Sequence, residues 1–497
     1  METDVLVVGG GTGGIAAAIG AARMGARVIL TEETEWLGGM LTAAGVSAVD
    51  GNHHLPSGIW GEFRRELIAH YGSSEALATG WVSHTQFEPH IGNRIFHRMA
   101  ESCGSLRIMK GYAPVGIEIE NNRVEAVRFV HPQYRDLRIR TLITIDATEF
   151  GDIMAMAGCR YSLGRESRAD SGEPWAPERA DRITQDMTWV AILKDYGTVR
   201  RFEYPRPSDY DESLYRGCCR ECFPIEGETT VDAQTMLNYG RLPNHKYMIN
   251  WPTHGNDYYA DLIELSHEER RKHFIKARSM TQGWLHFIQR HLGWTHLGLA
   301  DDEFPTPDRL ALIPYIRESR RVRGQVRVTL HDLLDPYRRH PDPLYRQAIA
   351  VGDYPVDHHH QRAALTEPEQ YPSIPSFSIP YGALIPEQVE GLICAEKNIS
   401  VSHIVNGASR LQPVVLQIGQ AAGTAAAIAT FNHCQPDQIS IRILQQHLLD
   451  TGCRLMPFID TQPDDPYFHA IQTCGLRGIL RGRGEPHQWA NRTWFYP

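Results

Sequence analysis

The chain has 497 residues, with 50 Lys+Arg against 59 Asp+Glu for a formal charge of −9, and is 42% hydrophobic and 22% charged. That is ordinary globular composition, enough for about two to four domains, and it excludes a disordered, collagen-like or disulfide-scaffold chain. The mild acidity argues against nucleic acid or a membrane surface as partner, because both call for a basic footprint.

The start, METDVLVVGGG, lacks the basic, apolar and small-residue regions of a signal peptide. Residues 4–8 (DVLVV) form a short apolar run of the kind a buried parallel strand shows. The loop Gly9-Gly10-Gly11-Thr12-Gly13-Gly14 follows at once, then a small-residue helix closed by Gly25 and a second apolar strand ending at Glu32. Gly9 permits the tight turn, Gly11 lets the backbone approach a pyrophosphate, and Gly14 lets the helix pack on the strand. Thr12 and Gly13 open that helix, whose unpaired N–H groups and positive dipole end suit phosphate. Glu32 lies 23 residues beyond Gly9, where a carboxylate accepts hydrogen bonds from a ribose diol and repels a 2′-phosphate. A dinucleotide is expected, FAD or NAD rather than NADP.

TEWLGGMLTAAGVS (34–47) places Gly38, Gly39 and Met40 just after the second strand. It resembles the loop of glutathione-reductase-like and fumarate-reductase-like FAD proteins, where a second glycine pair runs along the pyrophosphate and ribityl chain. That favours FAD over NAD. Residues 111–148 read as a β-meander turning at Asn121-Asn122 and near Pro132, with Val115 as a cofactor contact. The meander runs into Asp146-Ala147-Thr148, which resembles the ATG-like turn of the same flavoproteins, with Glu149 where many have glycine. Over 200 residues later, VEGLICAEKNISVSH (389–403) reads as a strand and turn carrying Glu396 to the cofactor. GASRLQPVVLQIGQAAGTAAAIA (407–429) reads as a helix entered at Gln412-Pro413. In a flavoprotein its positive end points at the flavin N1–C2=O edge and stabilises the anionic reduced ring. Gln412, Gln417 and Gln420 interrupt its apolar run, so no membrane span is expected. Nine cysteines, an odd count, read as reduced thiols of a cytoplasmic protein, and the Asn398 and Asn491 triplets as chance matches to a glycosylation signal.

Together with INWPTHGNDYY (249–259), IPYIRESRRVRG (313–324), VGDYPVDHHH (351–360) and SIPYGALIPEQVEGLICAEKN (378–398), these segments carry a resemblance over most of residues 3–430. The chain resembles the FAD-dependent oxidoreductase family that includes the xanthan-lyase-associated flavoproteins, distantly related to succinate dehydrogenase and fumarate reductase flavoproteins. The resemblance implies an α/β fold. It would comprise a Rossmann-like, glutathione-reductase-like FAD-binding domain in two parts (1–160 and 375–430), an inserted α+β substrate domain (161–374) and a small helical cap (431–497). It implies FAD and a small-molecule substrate, and names neither the substrate nor the electron acceptor. No second GxGxxG offers an NAD(P)H domain.

Candidate catalytic residues are His403, to move a proton as hydride transfers, and Arg410, to anchor a carboxylate or an alkoxide, because the chain from 394 to 413 must cross the flavin's reactive edge. Arg317, Arg320 and Arg321, on one face of an expected helix, either line an anionic pocket or form a salt-bridged surface. Asn250, His254 and Asn256 either face substrate or order their own loop. His358-His359-His360 cannot all point at one ion, one of them being instead a candidate substrate contact, and Cys218-Cys219-Arg220-Glu221-Cys222 lacks a second CxxC, so no metal is expected. His53 or His54 is a remote candidate for a covalent flavin link. The expected activity is hydride transfer between noncovalent FAD and a polar or anionic small molecule. The alternatives are a non-redox FAD-dependent hydratase, isomerase or lyase, and a binding protein retaining the fold.

Overall fold

The computed structural model describes residues 1–226, 230–337, 343–363, 365 and 370–495. The first apolar run becomes the buried strand β1 (Glu2–Val8), the glycine loop opens α1 (Thr12–Arg23), and β2 (Val28–Glu32) returns parallel to β1 with Val5 beside Val28. After α2 (Gly58–Tyr71) and α3 (Pro89–Glu101), β3 (Leu106–Lys110) adds outside β2. The meander follows as β4 (Ala113–Glu120), β5 (Arg123–Val130) and β6 (Leu137–Asp146). Its first turn holds Asn121 and Asn122 at φ 48° and 64°, a hairpin geometry that asparagine tolerates. The second half of β6 runs parallel to β1, and the strand Leu392–Cys394 runs parallel to β6. The carboxyl ends of these parallel strands therefore gather the glycine loop, Glu32, Asp146 and Ala395-Glu396 along one edge of the sheet. That is the edge at which open α/β sheets bind ligands.

The helix Gln412–Phe431 packs on α1 almost backbone to backbone: a Cβ on Gly419 would stand 2.0 Å from the Gly13 carbonyl, and one on Gly423 would stand 2.0 Å from the Ala17 carbonyl. This helix is long and apolar enough to cross a membrane by composition, yet 94% of it is buried inside the molecule. Its glutamines are satisfied there, Gln417 donating to the Val351 carbonyl and Gln420 accepting from the Ile59 N–H.

A second apolar cluster surrounds a four-stranded antiparallel sheet, in the order Arg241–Leu242, Lys246–Ile249, Ala191–Asp195, Leu297–Leu299. The helix His267–Leu292 covers it, started by a Ser266–Glu269 capping box and stopped by Gly293. The helix expected over residues 317–321 does not form. The Tyr315, Val322 and Arg323 N–H groups donate to Thr188, Asn398 and Arg160, so neighbouring strands hold this segment extended. After residue 431 the chain makes the helices Ile441–Asp450 and Phe468–Leu476, and then a hairpin of Arg483–Glu485 with Arg492–Trp494 where only helices were expected.

Candidate active site and cofactor cradle

At the glycine loop, Gly9 has φ +97° and a Cβ there would lie 2.3 Å from the Ala147 carbonyl, so the turn after β1 needs glycine. A Cβ on Gly13 would be 1.7 Å from the Ala395 carbonyl, and one on Gly14 would be 1.8 Å from the Gly9 carbonyl. The second glycine pair leans on the first loop: Thr12 Oγ1 donates to the Gly38 carbonyl (2.9 Å), and a Cβ on Gly39 would touch Gly11 Cα at 2.7 Å. Glu32 accepts from the Gly10 and Thr34 N–H groups at 2.7 and 2.8 Å, and burial pushes its carboxyl up to about 7. Glu32, Gly11, Gly39 and Ala147 line a cavity of about 150 Å³ with Tyr112, Pro114 and Arg270.

Two expected contacts fall elsewhere. Val115 is 51% exposed, and its neighbour Pro114 lines the cavity instead, because successive residues of a strand point to opposite faces. Met40 is buried in the apolar cluster around the antiparallel sheet, away from the cavity lining.

The loop's anion position is held by the chain itself. The Gly13 N–H donates to Glu396 Oε1 (2.7 Å), while Lys397 Nζ pairs with Glu149 Oε2 (2.7 Å) and Glu396 Oε2 (3.2 Å). Burial raises the Glu396 carboxyl, and Lys397 pulls it partway back. A carboxylate on this N–H shows that the start of α1 takes an anionic oxygen. The glycine cradle, Glu32 and Lys397 suit FAD, and Glu396 competes for the place a phosphate oxygen would take. The sequence drew notice to Glu149 and Glu396 separately; Lys397 and the pairing of the three needed three dimensions.

Arg317 and Arg410 meet. Both line a buried cavity of about 20 Å³ with Val46, Ala48, Asp50, Asn250, Tyr315, Asp357, His359 and Gln412. Arg317 donates to Thr188 Oγ1 (2.9 Å), Asn250 Oδ1 (3.0 Å) and the Asp186 carbonyl (2.8 Å), and stacks on Tyr315. Arg410 donates to the Tyr315 hydroxyl (2.6 Å) and to Asp357 Oδ2 (3.0 Å). Among the described residues, Arg317 Nε and Arg410 Nε are buried without an acceptor. The companion arginines go elsewhere, Arg320 to Phe150 and Asp152, Arg321 to Glu166 and Glu318.

His403 stands outside this cavity. Its Nδ1 meets Glu318 Oε1 at 3.0 Å, and its ring packs against His358 and His360. The extended triple-histidine run alternates. His358 and His360 face His403, and His359 turns the other way, 3.4 Å from both Asp257 and Asp357. Burial and Arg317 push His359 down, but the two carboxylates outweigh them and raise it above its ordinary value. Burial pushes Asp357 up, yet His359 and Arg410 hold it well below the carboxylate range. Asp357 and Tyr315 are functional candidates the sequence did not assign, although each lay inside a quoted motif, and His359 is the member of the histidine run that reaches the cavity. Of the NWPTHGND trio, Asn250 reaches the cavity while Asn256 orders its loop through Trp251, Trp189 and Ile249. His53 and His54 line a separate cleft with Arg64 and Arg492.

A parallel sheet that gathers a glycine loop, an acidic residue ending its second strand and a second glycine pair is the frame of an FAD-binding flavoprotein. Residues 4–448 match the FAD dependent oxidoreductase family, and the chain belongs to that family, whose cofactor is FAD. No curated protein matches in sequence. Among solved structures, p-nitrophenol 4-monooxygenase PnpA from Pseudomonas putida DLL-E4 is 12% identical at TM-score 0.37, covering 96% of this chain and 89% of that one. The myxobacterial chondrochloren halogenase CndH is 12% identical at TM-score 0.34, covering 90% and 78%. An L-proline dehydrogenase from P. horikoshii is 16% identical at TM-score 0.20, covering 30% and 22%. This chain spans 22%, 39% and 35% of that dehydrogenase, of AlpK and of the monooxygenase PieE. These likenesses are too low to carry an argument about activity.

Proposed function

We propose that the protein is an FAD-dependent oxidoreductase acting on a small anionic or strongly polar molecule held between Arg317 and Arg410. One observation carries this reading: two buried guanidiniums, each with a donor left over, converge on one cavity with His359 and Asp357. FAD, when bound, supplies the hydride donor or acceptor at N5. Gly9 to Gly14, Glu32 and Lys397 would hold the cofactor, while Val46, Ala48 and Gln412 bring its segments to the arginine cavity. Arg317 and Arg410 anchor a carboxylate or a developing alkoxide through charge-assisted hydrogen bonds. The raised imidazole of His359, braced by Asp257 and Asp357, holds the proton that hydride movement requires. His403, fixed by Glu318, positions the short helix His403–Ser409 that ends at Arg410, in place of the proton role expected for it.

In this reading residues 161–374 act as the inserted substrate domain against the two flavin-binding parts, because Asn250, Tyr315, Arg317, Asp357 and His359 come from the first and Arg410 and Gln412 from the second. The shared middle motifs support the finer placement beside the xanthan-lyase-associated flavoproteins. Nine unpaired thiols support a reducing, cytoplasmic setting. The test is anaerobic titration of the yellow protein with hydroxy acids, amino acids, sugar acids and enoates. Bleaching by an anionic member, and its loss in Arg317→Ala, is the expected result. A protein that takes up no FAD, or one that every neutral analogue reduces equally well, would overturn the proposal.

A further inference from the structure

The loop Gly217–Cys222 lies in the second apolar cluster, remote in sequence from every flavin motif. Cys218, Cys219 and Cys222 are each 0% exposed, and their sulfur atoms all lie within 4.8 Å of one another. The chain folds to bring them there. The Gly217 N–H donates to the Cys222 carbonyl (2.7 Å), the Cys222 N–H to the Cys219 carbonyl (3.1 Å), and the Arg220 N–H to the Val231 carbonyl (2.9 Å). Trp251 Nε1 donates to the Cys218 carbonyl (2.8 Å), and the preceding Tyr215 hydroxyl donates to the Met280 carbonyl of the long helix (2.9 Å). These bonds tie the turn to the sheet on one side and to the helix on the other.

Three sulfurs at one point are more than a disulfide uses, and burial denies them the access that thiol exchange needs. A tetrahedral zinc ion with Zn–S bonds of about 2.3 Å sets its sulfurs roughly 3.8 Å apart, against the 4.8 Å within which these three already lie.

We propose that Cys218, Cys219 and Cys222 form a structural site for a thiophilic divalent ion of the zinc class. Three S–H protons leave to solvent, three metal–sulfur bonds form, no electron is transferred, and one corner is left for a small ligand. The ion locks the 217–222 turn, whose Cys218 carbonyl holds the side chain of Trp251, the residue after Asn250.

The full-length protein, grown with zinc and dialysed, is expected to carry about one zinc per chain by elemental analysis. Cys222→Ser and Cys219→Ser should fall to about a tenth of that, while Cys434→Ser and Cys474→Ser, outside the cluster, should keep it. Should the cluster variants fail to fold, cobalt titration of the chelator-treated wild-type chain decides, through intense thiolate-to-cobalt charge-transfer absorption. Absence of both zinc and that absorption would overturn the site, as would a disulfide mapped within 218–222 or full zinc in Cys219→Ser.

Discussion

At the glycine loop the chain answers its own donors: Glu396 sits on the Gly13 N–H, and Lys397 neutralises it together with Glu149. In the arginine cavity the chain stops short, and Arg317 Nε and Arg410 Nε are buried without an acceptor among the described residues. Buried polar groups are nearly always satisfied, and Arg317 and Arg410, each with an unpartnered Nε, line one cavity where a ligand's oxygens would complete the network. The contrast teaches that two sites for anions can differ in readiness. FAD would meet a carboxylate already seated on the Gly13 N–H, whereas the proposed substrate site keeps two buried arginine donors unanswered.

The contrast breaks most visibly at Arg317. Arg317→Ala takes the guanidinium from Asp257 and leaves it His359 alone, and removal of one partner from a buried pair costs about 3–5 kcal/mol. Urea unfolding should show that loss, and substrate-driven flavin reduction should vanish with it. Gly13→Ala comes next. Its Cβ would overlap the Ala395 carbonyl, a clash that costs about 1–3 kcal/mol, and FAD retention on purification should fall sharply.

Glu396→Gln sharpens the comparison from the other side. Removing the competing charge should tighten FAD by several-fold to about tenfold, read by flavin fluorescence quenching. In the wild type, pyrophosphate arriving beside Glu396 raises its already raised carboxyl further, so binding takes up a proton. FAD affinity should therefore rise as pH falls, and Glu396→Gln should flatten that slope.

Stability should move with pH in the same sense. Burial raises Glu32 and Asp353 to about 7, so the folded chain binds more protons than the unfolded one between about pH 4.5 and 7. Melting temperature should climb as pH falls through that window. Glu318 and Glu166 are held down to about 2, and the stability they contribute is lost below the ordinary carboxylate range, which places the optimum near about pH 5. The smallest effect belongs to Val115→Ala, whose exposed side chain should leave FAD affinity and stability unchanged within about 0.5 kcal/mol.

The nucleotide end was legible in the sequence because its logic is local. Gly9, Gly13, Gly14 and Glu32 all fall within one strand–helix–strand unit, so their spacing shows in the sequence even though Gly9 and Gly13 are fixed by the distant Ala147 and Ala395 carbonyls. The cavity was not, because its lining runs from Val46 to Gln412 and only the tertiary fold brings those segments together. His403 was chosen by its nearness to the flavin segments in sequence, yet the alternation of an extended run hands the cavity to His359. The 317–321 segment misled for a related reason. Its spacing suits a helix face, but its arginines are drawn to three separate sets of acceptors, and an extended backbone serves all three.

The most direct test of the central claim is a flavin difference spectrum of the FAD-loaded protein titrated with a small carboxylate that cannot be oxidised. Saturable perturbation of the flavin bands is expected in the wild type, weakened at least tenfold in Arg410→Lys, which keeps the charge and loses the two-pronged donor. An unperturbed spectrum, or equal binding by wild type and Arg410→Lys, would contradict an anion site built by these arginines beside the flavin.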